Sequence, residues 1–274
     1  MNDHKNILAI ETSSNICGIA YITKGICVGS IENDLSKKHA EILPEYYLKL
    51  QKETDFVLDE IDAVAVSIGP GSFTGLRVGL SFAKGIAFSK GLPIIPISTM
   101  MSLAYVLKES LPEMGIIYSH ARRVFYQNIK WDHDIPHSND DISVAEWDDL
   151  LEKIDYSKNI FQWNCGSLNN GNSFIDAKLS SSSVGLLASI NYEKLKIDRP
   201  FELVPNYVSP FVVGKKKWLL GRDIFDIKPI LHIENVVFNK PYWTSDMLKK
   251  LLRNNRKETV WVLENQNEII GYLI

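Results

Sequence analysis

An α/β fold built on a mixed sheet is what this 274-residue sequence predicts, and three observations predict it. Short apolar runs alternate with helix-length amphipathic or apolar stretches, which places helices on the faces of a sheet. The first three runs follow one another with only turns between them, as an antiparallel meander does. Those that follow are separated by segments long enough for a helical crossover, as parallel strands require.

Residues 7–10 are a short apolar strand leading into Glu11, Thr12, Ser13 and Ser14; residues 17–22 and 26–31 follow as two more strands across Lys24 and Gly25. Ser36 is placed to cap a helix through His39, Ile42, Leu43, Tyr46, Tyr47 and Leu50, with Pro44 kinking it or confining part of it to a first turn. Residues 61–68 read as a buried strand. It breaks into Gly69, Pro70, Gly71, Ser72, Phe73, Thr74, Gly75, Leu76 and Arg77, where Ser72 or Thr74 caps the next helix.

A strand, a tight glycine loop and a helix N-terminus together offer backbone N–H groups to an anion. The known phosphate templates do not fit. A P-loop needs Gly-Lys-Ser/Thr where this chain has Gly75, Leu76 and Arg77, and the third glycine of a dinucleotide fingerprint would fall on Thr74. Between residues 75 and 89 the only charges are Arg77 and Lys84. Leu76, Leu80, Ala83 and Ala87 form one apolar stripe, and Val78, Phe82 and Ile86 another. A helix apolar on two faces is either buried or covers a partner. Gly75, Gly79 and Ala83, at four-residue spacing, let another backbone come close, and both readings remain open: packing inside one domain, or a subunit interface.

Composition bounds the rest. A hydrophobic content of 45% supports real cores, while a net charge of −3 and a pI near 6.1 give no bulk signature of nucleic-acid binding. Three cysteines without paired spacing suit a reducing compartment. With a polar start and no membrane-length apolar run, the sequence reads as a soluble, cytoplasmic protein with no membrane partner.

Further along, residues 93–97 form a buried strand, Ser98 or Thr99 caps a helix over 100–109, and residues 111–115 are a boundary. Strands are expected at 115–119, 124–131 and 159–163, helices at 144–154 and 181–194, and an extended stretch at 199–207 stiffened by Pro200 and Pro205. Residues 132–141, with His133 and His137, read as a solvated acidic loop. Residues 165–172 form a connection in which Gly166 and Gly171 could approach a nucleotide. Lys215, Lys216 and Lys217, with Trp218 and Arg222, form a basic patch in a linker, either simply solvated or touching phosphates.

Residues 7–13, His39-Ala40-Glu41, the Gly69 to Arg77 motif, Ala83-Lys84-Gly85, Ser98, Ala121-Arg122-Arg123 and Pro205-Asn206-Tyr207 together resemble the TsaB (YeaZ) family. The resemblance implies an actin/Hsp70-like, ribonuclease H-like fold of two related mixed-sheet lobes: residues 1–110 and 111–208, then a linker at 209–227. It implies a non-catalytic subunit in the formation of threonylcarbamoyladenosine beside the anticodon of tRNA. The chemistry would belong to a TsaD-type partner that uses ATP and a metal, joined by a TsaE-type ATPase, with tRNA reached through the complex. Association through first-lobe helices would assign Gly75, Leu76, Gly79, Leu80, Phe82 and Ala83 to the partner interface, with a homodimer possible through the same helices. In this reading the chain carries no catalytic residue, metal or cofactor of its own.

Glu11, Thr12 and Ser13 resemble the first phosphate loop of actin-like ATPases, with glutamate in place of the usual aspartate, and are weak candidates for a nucleotide loop. His120 likewise stands where the family often has aspartate before Ala-Arg-Arg. From residue 228 to 274 the text instead resembles the opening third of a RimI-like N-acetyltransferase of the GNAT class, ending before the pyrophosphate loop that such an enzyme needs. Two alternatives stay open beside the subunit reading: an ATP-binding enzyme of the actin-like class acting alone, and the remnant of a fusion with a ribosomal-protein N-acetyltransferase.

Overall fold

The computed structural model describes residues 5–35, 38–169, 171–208, 218–220, 227–228, 230–231, 244–253, 261–265 and 268–273. Two compact units divide the chain, Met1–Pro210 and Phe211–Ile274.

The first unit begins with the meander β1 (Ile7–Glu11), β2 (Ile16–Thr23) and β3 (Ile26–Asp34), followed by helix α1 (His39–Thr54). Strand β4 (Ala63–Gly69), helix α2 (Phe73–Lys90), strand β5 (Ile94–Ser98) and helix α3 (Thr99–Val106) complete the first lobe in chain order. The sheet order is β3-β2-β1-β4-β5, antiparallel through the meander and parallel from β1 to β5. Strand β1 is buried on both faces, so its period of two divides two cores. Leu8 and Ile10 point to the side of α1 and α2, joining Leu43, Leu50, Val64, Val66, Leu80 and Ala83. Ile7 and Ala9 point the other way, to Val184, Leu187 and Ala188. Each fully buried leucine or isoleucine contributes about 1.5–3 kcal/mol.

The second sheet repeats the plan of the first. Its strands are β6 (Met114–His120), β7 (Arg123–Asn128), β10 (Ser143–Glu146), β11 (Ile160–Trp163) and β12 (Ile175–Asp176), in the order β10-β7-β6-β11-β12. Three are antiparallel and then two parallel, as in the first sheet. A small hairpin, β8 (Lys130–Asp132) with β9 (Ile135–His137), is inserted between β7 and β10. The two sheets share a core in which Met100, Leu103 and Ala104 of α3 meet Ile117, Phe125 and Phe161.

Three sequence expectations are corrected. Residues 132–141 are not only a loop, since the β8–β9 hairpin enters them, with His133 at the turn in a left-handed conformation. Residues 144–154 are not one helix. Val144, Ala145 and Glu146 pair with Phe125, Val124 and Arg123 in β10, which leaves only the short α4 (Trp147–Leu151). The helix expected over 181–194 breaks into α5 (Ser181–Ile190) and α6 (Tyr192–Leu195).

Although α5 follows the second sheet in the chain, it packs on the first, through Val184, Leu187 and Ala188. Its N-terminus is held by Glu32 of β3. One Glu32 carboxylate oxygen accepts from Ser180 Oγ at 2.9 Å, and from the Ser181 amide and hydroxyl at 2.6 Å each. A carboxylate at this end satisfies orphan N–H groups and complements the helix dipole.

In the second unit, strand β13 (Trp218–Leu220) pairs antiparallel with β14 (Trp261–Asn265), which pairs antiparallel with β15 (Glu268–Leu273). Helix α7 spans Ser245–Arg253. Trp218, assigned to a linker from sequence, is thus in a strand. Ser36, the lysines at 215–217, Arg222 and much of the GNAT-like stretch lie outside the described residues. No helix among those described is long and apolar enough to cross a membrane.

Glu32→Ala is expected to lower the unfolding free energy by about 1–2 kcal/mol, the usual cost of losing a helix-terminal acceptor. Urea unfolding of both proteins checks it; an unchanged midpoint would show that the serines satisfy the helix end unaided.

Candidate functional site

The site is built where the carboxyl ends of β1 and β4 meet the N-terminus of α2. Glu11, the last residue of β1, is fully buried. Its Oε1 accepts from the Ser13 amide and hydroxyl, each at 2.6 Å, and its Oε2 accepts from the Ser67 hydroxyl of β4. Burial pushes the carboxyl above its ordinary value of 4.5, against the opposing pull of the Ser13 and Ser67 hydrogen bonds. The carboxylate therefore turns inward and exposes no surface to a metal.

The rest of the turn is pressed against the glycine loop. The Ser72 amide donates to Ser13 O at 2.6 Å, and Thr12 Oγ1 donates to Gly75 O at 2.9 Å. A Cβ on Gly71 would lie 2.1 Å from Ser13 O, one on Gly75 2.0 Å from Thr12 O, and one on Gly79 2.1 Å from Thr12 Oγ1. No room for a methyl group means none for a phosphate between these two segments. Glu11, Thr12 and Ser13 form a turn held against the glycine loop. Ser72 caps α2 as expected, its hydroxyl accepting from the Gly75 amide at 3.2 Å.

The small-residue stripe faces into the chain. Gly75, Leu76, Gly79, Leu80 and Ala83 are all buried, and the glycines allow α2 to lie against Thr12. Phe82 is half-buried, its ring 6.2 Å from that of Tyr47 on α1. The outward side of α2 carries Thr74, Ser81, Gly85 and Phe88, with Val78 half-buried beside them. A Cβ on Gly85 would meet nothing within 4 Å. A mid-helix glycine costs about 1 kcal/mol relative to alanine, and no neighbour explains this one.

The Gly69–Arg77 stretch also grips a distant segment. The Asn206 amide donates to Ile68 O at 2.7 Å, just before Gly69 and Pro70, both buried. Arg77 Nε donates to the Tyr207 hydroxyl at 2.8 Å while its guanidinium lies 3.8 Å from the centre of the Phe73 ring. The rings of Phe73 and Tyr207 are 4.9 Å apart. Lys84 Nζ donates to Phe201 O at 2.8 Å and to Leu203 O at 2.7 Å. Motifs separate in the sequence, Gly69–Arg77, Ala83-Lys84-Gly85 and Pro205-Asn206-Tyr207, are one contact system.

The remaining candidates are not drawn into a site. His39 is buried, with Nε2 3.2 Å from Ile16 O, and ties the start of α1 to β2. Arg122 pairs with Asp148 at 2.6 Å and Arg123 with Glu146 at 2.8 Å, so the acids that sequence reading sought at position 120 are supplied by α4 and β10. Gly166 and Gly171 have open space around them. Among the described residues no three His, Cys, Asp or Glu side chains gather as a metal site.

Residues 28–153, under half of the chain, match the family described as TsaD: tRNA N6-adenosine threonylcarbamoyltransferase. The chain is 35% identical over 127 residues to the tRNA threonylcarbamoyladenosine biosynthesis protein TsaB of Haemophilus influenzae, covering 45% of this chain and 53% of that protein. It is 34% identical over 114 residues to a tRNA N6-adenosine threonylcarbamoyltransferase of Clostridium botulinum, covering 36% of this chain and 34% of the relative. The chain thus spans about half the length of the first of these relatives and a third of the second. Among solved structures, a Pseudomonas aeruginosa protein described as similar to the peptidase YEAZ matches with a TM-score of 0.65 at 20% identity, over 75% of this chain and all of that one. At that identity the likeness shows the fold, which is the two-lobed actin-like, ribonuclease H-like one.

Because burial raises the Glu11 pKa, the unfolded chain releases this proton first as pH rises. Stability should therefore fall relative to a Glu11→Gln variant from about pH 4.5 upward, through the raised folded value. Urea unfolding of both proteins from pH 4 to 7 checks the sign; parallel curves would mean that Glu11 is no more buried in solution than in an unfolded chain.

Proposed function

We propose that this chain is a TsaB-type, non-catalytic subunit that binds and supports a TsaD-type tRNA N6-adenosine threonylcarbamoyltransferase. The observation that carries the reading is the closed junction between residues 11–15 and 69–75. The turn that resembles a phosphate loop is filled by the chain's own backbone, with its carboxylate facing inward. With that junction filled, the reading places the chain's action on its surface. The likeness to a TsaB protein on one hand, and to the transferase family on the other, supports a subunit related to its own catalytic partner.

The docking face in this proposal is the outward strip of α2, Thr74, Val78, Ser81, Gly85 and Phe88, rather than the buried Gly75–Gly79–Ala83 stripe. Small side chains let a partner helix approach closely, and the unexplained cost of Gly85 is offset when a second backbone lies over it. A homodimer would use the same strip and compete with the catalytic partner. ATP and a metal are handled by partner subunits, a TsaE-type ATPase among them, and tRNA is reached through the assembled complex. Residues 1–208 form the actin-like body.

Co-elution of the full chain with a TsaD-type subunit in size-exclusion chromatography tests this. Gly85→Arg should weaken the complex about 100-fold or more, a loss typical of a central contact. Gly85→Ala should keep the fold and gain about 1 kcal/mol of helix stability. An arginine tolerated without loss would remove the assigned surface; failure of the unaltered chain to bind would remove the function.

A further inference from the structure

We propose that residues 199–207 are a strap clasped onto α2 by Arg77 and Lys84, and that the clasped strap keeps one flank of the helix shut so that docking is confined to the outward strip.

The path of the strap is fixed at both ends by the first sheet. Ile197 exchanges two backbone hydrogen bonds with Ile94 at the start of β5, at 2.9 and 3.1 Å, and Asn206 donates to Ile68 near the end of β4. Between these points the segment runs alongside α2, from Phe88 near the helix C-terminus to Phe73 at its first residue. The rings of Phe88 and Phe201 meet edge to face at 6.0 Å, and Leu203 packs on the core cluster that contains Leu80.

Within 199–207 the strap has two internal backbone bonds, from the Leu203 amide to Pro200 O and from the Tyr207 amide to Pro205 O, and its links to the helix come from side chains. Lys84 takes the two carbonyls of Phe201 and Leu203, and Arg77 takes the hydroxyl of Tyr207. These are the only two charges that the sequence places between residues 75 and 89. Both bond the strap. Phe201, Glu202, Val204 and Asn206 are exposed, while Pro200 and Pro205 are buried as pegs. A segment held by few contacts, at least one of them a flexible ammonium, opens at lower free energy than the strands beneath it.

The consequence concerns specificity. With the strap down, the side of α2 between Phe73 and Phe88 is covered, and the strip through Ser81 and Gly85 is left open. With the strap lifted, the flank that carries Phe73, Arg77, Leu80 and Lys84 would be uncovered beside that strip, its two cations released next to the face a partner meets. The link to docking rests on the partner-subunit reading above; the clasp itself does not.

Hydrogen exchange on the full chain, compared with Lys84→Met and with Tyr207→Phe, tests the clasp, and titration with a TsaD-type subunit tests its link to docking. Tyr207→Phe leaves α2 untouched and so guards against a variant that fails to fold. Amides over 199–207 should lose most of their protection in either variant while β1 and β4 stay protected, and with the strap mostly open partner affinity should fall at least about fivefold. Unchanged exchange over 199–207 overturns the clasp. Faster exchange with unchanged affinity overturns the link to docking. If the unaltered chain binds no such subunit, the subunit reading and this link fall together, whereas the clasp stands or falls on exchange alone.

Discussion

The glycine backbone at 71 and 75 lies against the carbonyls of Ser13 and Thr12, where a single added carbon would lie about 2 Å from oxygen. That approach sets how near α2 lies to β1. It brings the Ser72 amide onto Ser13 and the Thr12 hydroxyl onto Gly75, and it encloses the Glu11 carboxylate with Ser13 and Ser67. It also decides which side of α2 faces inward, and therefore which side is left for anything else.

In open α/β sheets, ligands enter the crevice beyond the carboxyl ends of the strands. Here β1 and β4 end at Glu11 and Gly69, side by side, and the crevice between them is occupied by the chain itself. The same economy recurs at α5, whose N-terminus is met by Glu32 rather than by a free anion. At these two places the chain's own groups stand where a negative ligand could otherwise sit. Outward from that junction, α2 exposes Thr74, Ser81 and Gly85, with the strap alongside.

Much of the fold was legible in the sequence because its strands are short, apolar and separated by clear turn chemistry. The meander, the order of β4, α2 and β5, and the Ser72 cap follow from local pattern. The repeated sheet plan and the return of α5 to the first lobe do not, since both depend on pairings between distant residues. Residues 144–154 misled for a related reason: their helical spacing is real in Trp147 and Leu150, but Val144 and Ala145 gain more by pairing with β7.

At the site, the sequence singled out residues that the fold brings together, and their small-residue face lies against the same chain. Gly75, Gly79 and Ala83 signal that a backbone comes close, and nothing in a linear pattern says whether it belongs to the same chain. The link between Arg77 and Tyr207 spans 130 residues, so no window could show it. The isolated cost of Gly85 was the one local sign of the outward face, and it became readable only when its surroundings were seen to be empty.

Titration calorimetry of the full chain with ATP and magnesium tests the central claim most directly. If the crevice is closed by residues 11–15 and 69–75, no binding heat should appear up to about 1 mM nucleotide, whereas saturation in the micromolar range would mean that the junction opens and that the chain has a nucleotide site of its own.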